Sequence, residues 1–177
     1  MFKQIVLFVF LFYAFVAKAQ RCDTIDGKKT EYLSKEYQKC KERLWAKKDV
    51  GITDPDKIFE LATYLRQKND TSYKTWYKWA LEPYKNYFSK PHDKAEDHKR
   101  GSEHLYRIAL CYFYLENYDE AVTFFSKAIA AKYHNSCSYY YISYIKKKQG
   151  KDEEAAEEFK KFEELTKPPV PVQEKRD

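Results

Sequence analysis

The stretch Leu105–Ala128, LYRIALCYFYLENYDEAVTFFSKA, decides how this chain folds. Leu105, Ile108, Ala109 and Tyr112 recur at the three- and four-residue steps of one helix face, and Ala121, Phe125 and Ala128 do the same farther on. Between them, Asn117-Tyr118-Asp119-Glu120 reads as a tight turn running into an acidic helix start. The pattern returns 34 residues later, where Glu154-Ala155 aligns with Glu120-Ala121, Tyr140 with Tyr106, Ile142 with Ile108 and Phe159 with Phe125. A fixed period of that length is the mark of stacked helix pairs, each exposing an apolar face until a neighbour covers it.

In these residues the stretch resembles the tetratricopeptide repeat, with a first copy at about 102–135 and a second at about 136–167. The second copy keeps Tyr139, Ile142, Ser143, Ala155 and Phe159 but has Lys146 in place of an aromatic residue and Phe162 in place of Ala, as a terminal, solvent-facing copy would. The resemblance implies an all-α fold, a short right-handed superhelical array of antiparallel helix pairs. It also implies a protein or peptide partner held in the concave groove lined by the first helix of each pair, and no catalysis. Carried over copy by copy, the groove positions are Tyr106, Leu110, Phe113 and Tyr114, then Tyr140, Tyr144, Lys147 and Lys148. Such a surface is aromatic with a basic rim.

An array of this kind usually needs three units, so residues 20–101 are expected to supply helices. Candidates run over about Lys28–Lys48, Pro55–Lys68 and Ser72–Phe88. Asp54 stands ready as N-cap before Pro55, and Thr71 or Ser72 can cap the third helix. Pro83 is expected to bend or interrupt that helix. Stepping back 34 residues from Ala121 reaches Tyr87, so the register is broken and this half is repeat-like at best. Pro168-Pro169-Val170-Pro171 ends the last helix and leaves 168–177 as a tail.

With 4 Gly and 6 Pro in 177 residues, a sheet of many hairpins is excluded by composition. The charge of +6 is spread through the chain in both signs, which disfavours a nucleic-acid partner. Residues 1–19 read as a secretory signal: Lys3, twelve apolar residues from Ile5 to Val16, and small residues at Ala17 and Ala19. That run is too short for a membrane anchor. A periplasmic or extracellular location is therefore expected, with the alternatives of an adaptor or assembly factor and of an immunity-type inhibitor that neutralises a delivered toxin.

An oxidising compartment permits disulfides among Cys22, Cys40, Cys111 and Cys137. Cys22 and Cys40 flank a short segment they could staple, and Cys111 reads as a small buried hydrophobe. Neither a cofactor nor a metal is expected. His92, His98, His104 and His134 are scattered, and the densest group, His92 to His98, is interleaved with Lys94 and followed by a Gly101 break. No phosphate loop, HExxH or GxSxG is present. Trp76, Trp79, Tyr73, Tyr77, Tyr84 and Tyr87 at helical spacing read as core, with an aromatic sugar platform as the alternative. Asn69-Asp70-Thr71 matches a glycosylation acceptor.

Overall fold

A computed structural model describes residues 31–39, 54–88 and 95–167; the side chains of 95–98, the tail and the signal-like segment lie outside the described residues. Among the described residues all regular structure is helical. A short helix α1 spans 31–39. It is followed by α2 (Pro55–Gln67), α3 (Tyr73–Tyr87), α4 (Ala95–Tyr114), α5 (Tyr118–Ala130), α6 (Asn135–Lys148) and α7 (Asp152–Thr166). The closest packing joins α2 to α3, α4 to α5 and α6 to α7, and the three hairpins stack through α3 on α4 and α5 on α6. The N-terminal half thus supplies a full third hairpin, and the whole is a tetratricopeptide-like helical array.

Each hairpin turns on the same backbone device. At the end of α2, α4 and α6, a residue adopts the left-handed conformation: Asn69 (φ 57°), Glu116 (φ 65°) and Gly150 (φ 75°). The next amide then reaches back five residues, Asp70 N–H to Leu65 O, Asn117 N–H to Tyr112 O and Lys151 N–H to Lys146 O, each at 2.9 Å. This is the Schellman closure, which satisfies the carbonyls a helix end leaves open. The second and third of these turns are 34 residues apart, but the first precedes the second by 47, and its chain runs through Asp70 and Thr71 before α3 begins. Two extra turn residues, a longer connection from α3 to α4, an α3 longer than α5 and above all an α4 longer than α6 together account for the broken register.

Because Gly150 alone carries no Cβ at this position, Gly150→Ala is expected to cost about 1 kcal/mol through left-handed strain. Glu116→Gly is expected to raise the melting temperature. Thermal melts of the two variants check the pair of opposite signs.

Small side chains set the close approach between helices, as the sequence pattern required. Ala109, Ala121 and Ala128 are fully buried, and Phe125 fills the space that opens beside them. Aromatic pairs fasten one hairpin to the next: Tyr77 of α3 stacks on Tyr114 of α4 at 5.1 Å, and Phe125 of α5 lies nearly parallel to Tyr141 of α6, also at 5.1 Å. Phe162, the departure from the repeat, packs edge-on against Tyr140 at 5.5 Å, so the large residue fills the last of the described hairpins. Lys146, the other departure, pairs with Glu154 across the hairpin. On α7 Ala155 and Phe162 are buried and Phe159 is half-buried against the core, while most of the rest of the helix is exposed.

Several local expectations change. The helix start at α2 is as anticipated, with Asp56 N–H donating to Asp54 Oδ1 at 3.0 Å. Ser72 occupies the N-cap of α3 but makes no side-chain cap bond; Asp70 Oδ1 instead accepts from the Ser72 N–H at 2.9 Å. Pro83 does not interrupt α3, which runs through to Tyr87. The carbonyl Pro83 leaves unbonded is that of Trp79, on the exposed side of the helix, where solvent can satisfy it. Gly101 is not a break either: it is buried inside α4, where an added Cβ would stand 3.6 Å from the Tyr87 ring.

Of the aromatic run in α3, Trp76, Tyr77 and Tyr84 are core and Trp79 is 43% exposed, so these rings do not form a side-by-side platform. The Cys22–Cys40 pairing and the His92 and His98 side chains fall outside the described residues.

Candidate protein-binding face

The eight groove positions separate into two groups. Tyr106, Leu110 and Tyr140 are 5%, 2% and 4% exposed, which makes them core in this fold. The reason is side-chain reach. Tyr106 meets Phe125 of the paired helix at 5.8 Å and stacks on His134, while Tyr140 turns onto Phe162 of α7. Both rings are long enough to cross to a neighbouring helix, so they fill the hairpins rather than line an open channel.

Phe113, Tyr114 and Tyr144 are half-buried, and Lys147 and Lys148 are exposed. These five gather where α4 and α6 end. Phe113 is the centre: its ring lies 5.1 Å from Tyr114, 4.8 Å from Tyr141, 5.6 Å from Tyr144 and 6.1 Å from Tyr118. Cations lie over the same rings. The Arg66 guanidinium from the end of α2 is 4.3 Å above Tyr114, and the Lys148 ammonium is 5.5 Å from Tyr118 and 5.9 Å from Tyr144. Lys148 also donates to the Tyr118 hydroxyl at 3.1 Å, a bond that holds its pKa above the ordinary lysine value.

Geometry adds Arg66 and Tyr118 to the residues the sequence singled out. Arg66 precedes Phe113 by the same 47 residues that separate the first two turns, and Lys147 follows Phe113 by 34. The equivalence was hidden by the 47-residue spacing, which a search at 34 residues does not reach. Tyr118 was read only as a turn residue.

The opposite half of the α2–α4 contact is a polar interlock. Tyr84, fully buried, donates to Asp56 Oδ1 at 2.7 Å and accepts from Arg107 at 3.2 Å. Arg107 closes the triangle on Asp56 at 2.9 Å and pairs with Glu103 within α4. Burial pushes the Tyr84 hydroxyl well up, so it stays a neutral donor.

His104 is sandwiched beside the interlock, 4.8 Å from the Tyr84 ring and 4.6 Å from Tyr87, with Nε2 3.9 Å from Asp56. Burial lowers its pKa below the ordinary 6.5, outweighing Asp56. The unfolded chain therefore binds a proton at this position that the folded chain resists, and stability falls as pH drops through about 6.5. Melting temperatures between pH 7.5 and 5 are expected to decline more steeply for the natural protein than for His104→Phe, which keeps a ring between Tyr84 and Tyr87; equal slopes would exclude His104 as the source.

Residues 102–131 match the tetratricopeptide repeat family model. The match covers the later part of α4 and all of α5 and ends before α6, whose hairpin is the geometric counterpart. Such a repeat is typically a non-catalytic protein-interaction scaffold and suggests a protein–protein interaction module. No curated protein and no solved structure matches the chain. Among the described residues, no cluster of three or more His, Cys, Asp or Glu is placed to hold a metal, and no helix is long and apolar enough to cross a membrane.

Proposed function

We propose that this protein is an exported, soluble interaction module, an adaptor or assembly factor, that holds a peptide or protein surface against the ends of α4 and α6. One observation supports this above the others: in the hairpin that carries the tetratricopeptide match, Phe113 and Tyr114 sit half-buried beside Tyr144 under the cations of Arg66 and Lys148. Rigid rings with polar tips suit partner contact at low entropic cost. Lys147 and Lys148 at the rim favour an acidic segment in the partner. Export rests on residues 1–19, whose basic, apolar and small-residue parts follow in the order of a cleaved leader.

Affinity capture from native envelope extract tests the reading. The mature protein is expected to retain a defined protein partner, and Lys147→Glu with Lys148→Glu to weaken capture more at low salt than at high, since exposed charges act over a Debye length. Recovery of a toxin instead of an envelope component would assign the immunity role to the same face. Intact mass of the protein from its source cell is expected to lack residues 1–19; retention of that segment would contradict export.

A further inference from the structure

Glu116 is an anion at the edge of a face whose other charges, Arg66, Lys147 and Lys148, are basic. It follows Tyr114 by two residues and stands in the left-handed turn between α4 and α5, with φ at 65°. The equivalent turn positions of the other two hairpins hold Asn69 and Gly150, the residue types that adopt this conformation with least strain. Glutamate has no such tolerance, and its side chain is engaged. Glu116 Oε1 accepts from the Lys74 ammonium of α3 at 2.9 Å. That bond and the Lys74 charge hold the Glu116 carboxyl below its ordinary pKa, and the charge of Lys148 in α6 adds to the effect. Lys148 is also the cation over the Tyr118 and Tyr144 rings.

The Lys74 and Glu116 side chains are 45% and 62% exposed, and an ion pair so open to water contributes little to stability. It does not offset the strain of a left-handed residue that carries a Cβ, so stability alone does not account for a glutamate here. We infer that Glu116 is the internal counter-ion of the candidate face, holding Lys74 and shielding Lys148 until an acidic side chain of the partner takes its place, and that it thereby determines how strongly the face prefers acidic segments to neutral ones. The inference rests on the proposed docking at the ends of α4 and α6. An exposed carboxylate on a turn swings aside without moving a helix, so the exchange disturbs no packing. The partner's carboxylate gains the two lysines only by releasing Glu116, and the charge at position 116 weakens its hold throughout the approach.

Fluorescence anisotropy on the mature protein tests this, with a labelled decapeptide in which Glu alternates with Leu and a counterpart with Gln at every Glu. Glu116→Gln keeps the side-chain length and the backbone strain and removes the charge. It is expected to bind the acidic peptide roughly threefold tighter than the natural protein at low salt, with a smaller gain at high salt and none for the neutral peptide. Glu116→Gly is expected to show the same gain although it also relieves the strain, which traces the effect to the charge. Unchanged or weaker binding of the acidic peptide by Glu116→Gln, or an equal gain for the neutral peptide, would overturn the inference; the docking face would still stand if Phe113→Ala suppressed the binding. Binding of the acidic peptide by neither the natural protein nor the variants would overturn both.

Discussion

Phe125→Ala is expected to cost about 3 to 5 kcal/mol. Phe125 is fully buried at the junction of the second and third hairpins, stacked on Tyr141 and meeting Tyr106 edge-on. Ala121 and Ala128 flank it on α5, and neither can extend into the vacated space. The helices cannot close the gap without losing the stack that joins α5 to α6. A domain stability of roughly 5 to 15 kcal/mol leaves little margin for such a cavity. Calorimetry or denaturant titration is expected to show a melting temperature lower by about 10 °C, and an unchanged transition would mean that the hairpins do not stack through Phe125.

The second large effect separates two tyrosines one helical turn apart. Tyr140→Ala removes a buried ring from between α6 and α7, where it packs on Phe162, and is expected to destabilise by about 3 kcal/mol. Tyr144→Ala removes a half-buried ring that packs on Phe113 and lies under Lys148. It is expected to leave the fold nearly intact and to weaken partner binding by about 2 kcal/mol, roughly thirtyfold. Thermal melts and binding measured on the same two variants check the split; the reverse pattern would place the site on the side of Tyr140 instead.

The sequence pattern carried the packing of α4 to α7 well, because small residues at Ala109, Ala121 and Ala128 and large ones at Phe125 and Phe159 specify helix contact at a fixed spacing. It also placed α2 and α3 to within a residue or two, through Asp54, Pro55 and the Asn69-Asp70-Thr71 turn. What it missed was that these two helices form a hairpin of the same build. A search at 34 residues fails when the first turn gains Asp70 and Thr71 and α3, α4 and the link between them are lengthened, although the left-handed turn residues remain equivalent. Of the groove, periodicity gave the face but not its depth: Tyr106 and Leu110 share a helix side with Phe113, and only the position of each side chain against the neighbouring helices decides which is core. Arg66 lay beyond the repeat match and so beyond that argument.

The central claim is that a partner docks where α4 and α6 end. Placing a photo-crosslinking amino acid at Tyr144, and separately at Lys160 on the exposed face of α7, and irradiating the protein in its native extract measures this most directly. The account predicts a discrete protein adduct from position 144, suppressed by Phe113→Ala, and none from position 160. An adduct from position 160 alone, or one from position 144 that is indifferent to Phe113, would contradict it.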